Sequence, residues 1–171
     1  MNYTVLEPSV QPPNVDDKTV RRTISNMNKT ILDYLSTNRV CALAILLPDG
    51  SPHAAAVHYS HQAEPLELYV STRGASRKCQ ALQNGGTAKA SVVVGLSEEE
   101  WITLQMDGEV AAITDPAQLE AAQAIHYAKH PNSAQYKDDP ETMFLRFTPN
   151  WWRYTDFNTK PLTLVDSSQS A

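Results

Sequence analysis

Six short strand-like segments with turn signals between them, and three helical segments, predict a mainly β fold: a small six-stranded antiparallel barrel with about three flanking helices. The clearest segment is Trp101–Ile113, where Ile102, Leu104, Met106, Val110 and Ala112 face one way and Thr103, Gln105, Asp107 and Glu109 the other. A second signal is Pro48-Asp49-Gly50-Ser51, a turn in which proline presets φ and glycine accepts the positive φ that other residues resist. The third is composition. A chain of 171 residues with 42% hydrophobic and 19% charged residues is globular in character, and folding should remove roughly 70% of its unfolded surface from water.

The first fifteen residues carry three of the eleven prolines and no periodicity, so 1–15 is expected to be an N-terminal arm. Asp16-Asp17 opens a helix in which Val20, Ile24, Met27, Ile31 and Leu35 step by three or four along one apolar stripe. Val40–Leu47 is apolar on both faces, as expected of a strand buried on two sides. The turn follows, with His53–Ser60 as the expected return strand, and Leu66–Thr72 alternates as a third. Gly74 interrupts the pattern, and Ser76–Asn84 is expected to form a short helix stopped by Gly85-Gly86. Ala88–Gly95 and Trp101–Ile113 are the fourth and fifth strands. Asp115-Pro116 pairs an N-cap with proline at the first helical position of a helix running to about Lys129. Phe144–Tyr154, bent at Pro149, is the sixth strand. Residues 158–171 are expected to be a tail, frayed from Asp166, which leaves 16–157 as the single domain.

Net charge is −5 and the pI about 5.5, which removes the overall basic footprint of a nucleic-acid or anionic-lipid binder. The N-terminal residues show neither a basic n-region nor an apolar h-region, and Val40–Leu47 is far too short for a bilayer span. A cytoplasmic protein with no membrane partner is expected. The two cysteines, Cys41 and Cys79, lie in apolar surroundings without a CxxC motif and are expected to be small core residues in a reducing compartment.

The stretch with most chemical content is Ser76-Arg77-Lys78. A helix start carries partial positive charge and favours acidic residues, yet here two cations and a hydroxyl stand together without a carboxylate. An anion resolves that conflict, and a serine hydroxyl, a guanidinium and an ammonium together suit a phosphate. The alternative is that both side chains splay into solvent at little cost. The Ala54-Ala55-Ala56 run also needs a reason, since alanine is a poor strand former. Small side chains let a flat ring approach the backbone, or else make room for bulky neighbours. Of the five histidines, His53 and His58 point to opposite faces of one strand, as do His58 and His61; His126 and His130 share a helical face without the HExxH glutamate. No metal is expected. Trp151, Trp152, Tyr154 and Phe157 suit a core or a subunit interface, with either tryptophan able to wall a pocket.

The order of motifs PDGSPH, LYVST, GASRKCQAL and MDGEV resembles the pyridoxamine 5′-phosphate oxidase-like family, the FMN-binding split barrels, over Leu35–Ile113 and more loosely to Phe157. The resemblance implies a split β-barrel homodimer with FMN between the subunits. It implies a phosphate site at Arg77-Lys78 with Ser71, Thr72 and the neighbouring Ser76, and a flavin ring along Ala55, Ala56, Val57 and His58. It also implies a contribution from the partner subunit at Thr103, where the family has glutamine. The oxidases of vitamin B6 synthesis carry an arginine and a lysine where this chain has Ala55 and Ser60, and their C-terminal arginine-and-histidine motif is not visible in WWRYTDF. The expected protein is therefore a divergent member: an oxidoreductase passing electrons from a reduced nicotinamide or other small-molecule donor through FMN. The alternative is a non-catalytic flavin, haem or deazaflavin binding protein.

Overall fold

The structure, a computed structural model, describes residues 27–168. The expected arm and the opening of the expected first helix fall outside them. The chain runs α1 (Lys29–Thr37), β1 (Val40–Leu46), β2 (Pro52–His58), β3 (Ser60–Gln62), β4 (Glu67–Arg73), a 3₁₀ helix (Arg77–Gly85), β5 (Thr87–Val94) and β6 (Ile102–Ala112). It continues through α2 (Pro116–Lys129), a second 3₁₀ helix (Pro131–Tyr136), β7 (Thr142–Asp156) and β8 (Thr163–Asp166). Every strand pairing is antiparallel, in the order β2-β1-β5-β6-β7-β4-β3, with β8 added on β7. β2 and β3 end that order at opposite edges, yet only Tyr59 separates them in the chain. A sheet whose edges meet within one residue must curl on itself, and the result is a half-barrel.

The class is mainly β with flanking helices, as expected, but the described residues hold eight strands rather than six. The expected strand His53–Ser60 is two strands because Tyr59 turns inward at their junction. It is fully buried, its hydroxyl donates to the Leu35 carbonyl at 2.8 Å, and its N–H donates to the Arg39 carbonyl at 3.2 Å. The eighth strand lies in the expected tail. Thr163–Asp166 pairs with the end of β7, and the Ser167 N–H donates to the Trp152 carbonyl at 3.0 Å. Its short sequence, TLVD, has too little alternation to announce itself.

Two further expectations are corrected. Asn28 caps α1 from an extended backbone, accepting from the Ile31 N–H at 3.1 Å, so Met27 precedes the helix and the stripe from Val20 to Leu35 is not one unbroken helix. β1 is buried on one face only: Cys41, Leu43 and Ile45 point into the core, whereas Ala42 and Ala44 are half-open and Leu46 is 44% exposed. The expected Ser76–Asn84 helix is the 3₁₀ helix Arg77–Gly85, with Ser76 as its extended N-cap and Gly86 as its C-cap. At the hairpin Gly50 adopts φ +81° and its N–H donates to the Leu47 carbonyl at 2.9 Å, as the turn residues require. Both cysteines are buried and unpaired.

The barrel interior is filled by Leu43, Ile45, Leu68, Val70, Val92, Val94, Leu104, Met106, Phe147 and Trp152, with Ile31 and Leu35 of α1 packed among them. The alternation expected of β6 is present, and its register shifts at Asp107/Gly108, where Gly108 faces Pro149 at the bend of β7. A Cβ on Gly108 would lie 2.2 Å from the Thr148 carbonyl oxygen and 2.8 Å from the Pro149 Cα, and neither backbone atom can move freely. Gly108→Ala is therefore expected to cost about 1–3 kcal/mol, seen as a lower urea midpoint at unchanged slope.

α2, capped by Asp115 with its carboxylate accepting from the Gln118 N–H at 2.9 Å, packs on the outer side of β4 and β7 through Ala122 against Tyr69 and Phe144. Its last turn is tied to α1 reciprocally. Lys129 Nζ donates to the Leu35 carbonyl at 2.7 Å, and Arg39, two residues past α1, donates to the Lys129 carbonyl at 2.9 Å, so unsatisfied C-terminal carbonyls of both helices receive a cation. This clamp sets the end of α2 against the β2–β3 corner.

Candidate functional site

β2 approaches β4 without pairing with it, and a cleft of about 520 Å³ opens at this seam of the half-barrel. Ala56, Val57 and His58 form its β2 wall; Ser71, Thr72 and Arg73 its β4 wall; Lys78 comes from the 3₁₀ helix. His126 closes it from α2, and Ser133, Tyr136, Asp139 and Thr142 complete the lining.

At one end is a compact cradle of donors. Lys78 Nζ donates to Thr72 Oγ1 at 3.0 Å and Ser76 Oγ at 3.3 Å, and the two hydroxyls are 3.4 Å apart. The Ser76 side chain makes no capping bond to the 3₁₀ helix, whose first turn contains no acidic residue. An ammonium has three N–H donors and a hydroxyl one. Two ammonium donors are spent here, and at most one hydroxyl hydrogen is used between the hydroxyls. Ser76 Oγ also lies 3.3 Å from Cys79 Sγ and can spend its hydrogen there, so one ammonium N–H remains for a ligand. Among the described residues, no carboxylate pairs with Lys78.

The other end carries imidazoles. The His58 and His130 rings lie 5.0 Å apart at 32°, and those of His130 and His126 4.8 Å apart at 38°. His130 Nε2 is 2.7 Å from the Tyr59 carbonyl and must donate to it; its Nδ1, 3.1 Å from the Arg39 guanidinium, must accept. His130 is thereby fixed as a neutral tautomer. His126 is 1% exposed, with Nδ1 3.2 Å from Ser60 Oγ, and burial followed by the neighbouring His130 pushes it down to about 4. Burial also pushes His61 down to about 4 and Lys129 to about 8. Among the described residues, no group of three or more histidine, cysteine, aspartate or glutamate side chains is arranged to hold a metal ion.

Of the residues singled out from the sequence, Ala56, Val57, His58, Ser71, Thr72 and Lys78 come together around this cleft, and Ser76 completes the cradle. Three lie elsewhere in the chain. Ala55 pairs with Leu43 of β1 and does not line the cleft. Arg77 is exposed and does not line the cleft. It lies towards the first hairpin, where the Asp49 carboxyl is held below its ordinary range chiefly by hydrogen bonds from Ser51 and, to a lesser extent, by the Arg77 charge. Thr103 lines a separate groove with Leu96, Trp101 and Phe157. Trp152 is core, whereas Trp151 lies beneath the Arg153 guanidinium at 5.2 Å. His126, Ser133, Tyr136 and Asp139 were not singled out as site residues. The signal in the sequence for His126 is its i, i+4 spacing with His130, a pattern that speaks to a shared helical face and not to a cleft.

The family model of pyridoxamine 5′-phosphate oxidase matches residues 27–156. The chain belongs to the pyridoxamine 5′-phosphate oxidase family. No curated protein matches it. Among solved structures, this family member is similar to a Clostridium acetobutylicum protein related to general stress protein 26, at TM-score 0.62 and 16% identity over 83% of this chain and 95% of that one. It is also similar to a candidate pyridoxamine 5′-phosphate oxidase from Listeria innocua, at TM-score 0.58 and 20% identity over 76% and 97%. A heme binding protein from Mycobacterium smegmatis has TM-score 0.62 and 14% identity over 84% of this chain and 61% of that one. At these identities the likeness is one of fold. Among the described residues, no helix is long and apolar enough to cross a membrane.

Proposed function

We propose that the chain is a cytoplasmic FMN-binding flavoprotein, acting as an oxidoreductase between a reduced nicotinamide or similar donor and a small molecule. The observation that carries this is the carboxylate-free cradle of Lys78, Thr72 and Ser76 at one end of a cleft walled on the β2 side by Ala56, Val57 and His58. The cradle suits a terminal phosphate, and the β2 wall suits a planar ring. When bound, FMN supplies hydride acceptance and delivery; the chain's own part is to bind and orient it. Vitamin B6 synthesis is not part of the proposal, because Ala55 and Ser60 stand where the resemblance places an arginine and a lysine, and Ser60 is buried against His126.

The proposal includes a homodimer. Beside the cleft, Ala56 and Ala42, and Ala54 and Ala44, form small-residue pairs on the outer face of β1–β2, flanked by Leu46 at 44% and Val40 at 39% exposure. An open apolar face of this kind suits a second copy. A second reading, a non-catalytic haem carrier, is favoured by the two imidazoles of His58 and His126 on the cleft wall.

Fluorescence titration with FMN should saturate at about one flavin per chain, and sedimentation followed in the visible flavin band should give a dimer at micromolar concentration. A monomer that still carries flavin would remove the dimer from the proposal. A chain that ignores FMN but develops a Soret band with hemin would favour the haem carrier. Reduction of the bound flavin by NADPH or NADH in stopped flow separates enzyme from carrier.

A further inference from the structure

We infer that His58 is the proton-accepting contact of the cleft, taking up a proton when the ring of bound flavin is reduced; this rests on the FMN reading above. His58 is the last residue of β2 and lines the cleft beside Ala56 and Val57. Its ring lies against His130, which cannot exchange protons without losing a bond, since Nε2 donates to the Tyr59 carbonyl and Nδ1 accepts from Arg39. His126, the other imidazole on the wall, is buried with Nδ1 against Ser60 Oγ. His58 differs from both: it is exposed, and among the described residues no protein group hydrogen-bonds to its ring. Of the three imidazoles, it alone combines a fixed place on the wall with uncommitted nitrogens.

The charges around it make the consequence specific. The titratable and charged groups there are His126 and Lys129 of α2, His130 just after it, Arg39 ahead of β1, His61 of β3, Arg73 of β4 with its ion-pair partner Glu141, Lys78 of the 3₁₀ helix and Asp139 ahead of β7. Its three imidazoles are neutral between pH 6 and 8 and Arg73 is paired with Glu141, so Arg39, Lys129 and Lys78 outweigh Asp139, and a further positive charge is best matched by an anion in the cleft. Two electrons and one proton entering bound FMN leave its ring with one negative charge more than the oxidised form. The second proton goes from solvent to an imidazole nitrogen of His58. Electrons and charge then balance, with dithionite as the reductant in the test.

The experiment is a redox titration of the FMN-loaded protein between pH 6 and 8, with His58→Gln and, as a control on the same strand, His53→Gln. One proton taken up with two electrons shifts the equilibrium tenfold per pH unit, about 30 mV, and two shift it a hundredfold, about 60 mV. The unaltered protein and His53→Gln are expected to follow the steeper slope, and His58→Gln the shallower one, with FMN still bound as its absorbance shows. The same slope in all three proteins overturns the role of His58 and leaves the flavin reading intact. Failure of the unaltered protein to bind FMN in the preceding fluorescence titration overturns both.

Discussion

Replacing Lys78 with alanine should weaken FMN binding by roughly tenfold to a hundredfold and leave riboflavin binding nearly unchanged. A charge-assisted hydrogen bond contributes on the order of 1.5–3 kcal/mol, and riboflavin lacks the phosphate that would receive it. Lys78 is partly buried and holds Thr72 and Ser76 in place, but among the described residues no carboxylate pairs with it. The fold should therefore survive, with an unchanged circular dichroism spectrum. Arg77→Ala should have the smaller effect on FMN, because Arg77 is exposed and lies towards Asp49 rather than the cleft. Parallel fluorescence titrations decide the matter. Equal losses for FMN and riboflavin would mean that Lys78 shapes the cleft without reading a phosphate. Unchanged FMN binding would make it a solvated cation.

Acidification from pH 7 to pH 5 should destabilise the protein by about 2 kcal/mol through His126 alone, rising to about 3 kcal/mol below pH 4. The unfolded chain binds a proton on this imidazole near its ordinary value of 6.5, whereas the folded chain does so only at about 4. Between these values the unfolded state holds more protons, so stability falls as pH falls. The cause is burial beside His130, with Lys129 nearby, where a charged imidazole has no counterion. His61, pushed down by its own burial and by Lys129, acts in the same direction. Urea unfolding at pH 7 and 5 tests this. In His126→Gln the protein starts less stable, but its loss across the same interval should shrink by about 2 kcal/mol. An unchanged loss would assign the acid sensitivity to other groups.

Much of the fold could be read locally because each signal is satisfied within a few residues. Gly50 meets the φ of its turn, Asp115-Pro116 starts α2, and the two-residue period of β6 survives because one face meets the core whatever lies beyond it. Tyr59 could not be read this way. Its neighbours His58 and Ser60 give no turn signal, and its ring turns inward to the Leu35 carbonyl, 24 residues away, where the strand divides.

The sequence by itself determined that a hydroxyl and two cations stand together at a helix start after a strand, and the lysine of that group does enter the cradle with Thr72 and Ser76. Adjacent residues on a 3₁₀ helix diverge by about 120° in direction, however, so Arg77 and Lys78 could not both be assigned to one cleft from their order. Only the tertiary structure decided that Lys78 faces the seam while Arg77 lies towards the first hairpin. The same holds for the imidazoles. His58 and His126 are 68 positions apart, and no periodicity connects a strand end with a helix end. They meet because the sheet curls until β2 stands beside β4, while Lys129 and Arg39 clamp α2 to α1 across that corner. A cleft at an unpaired seam is a property of sheet closure, which no single segment of the chain contains.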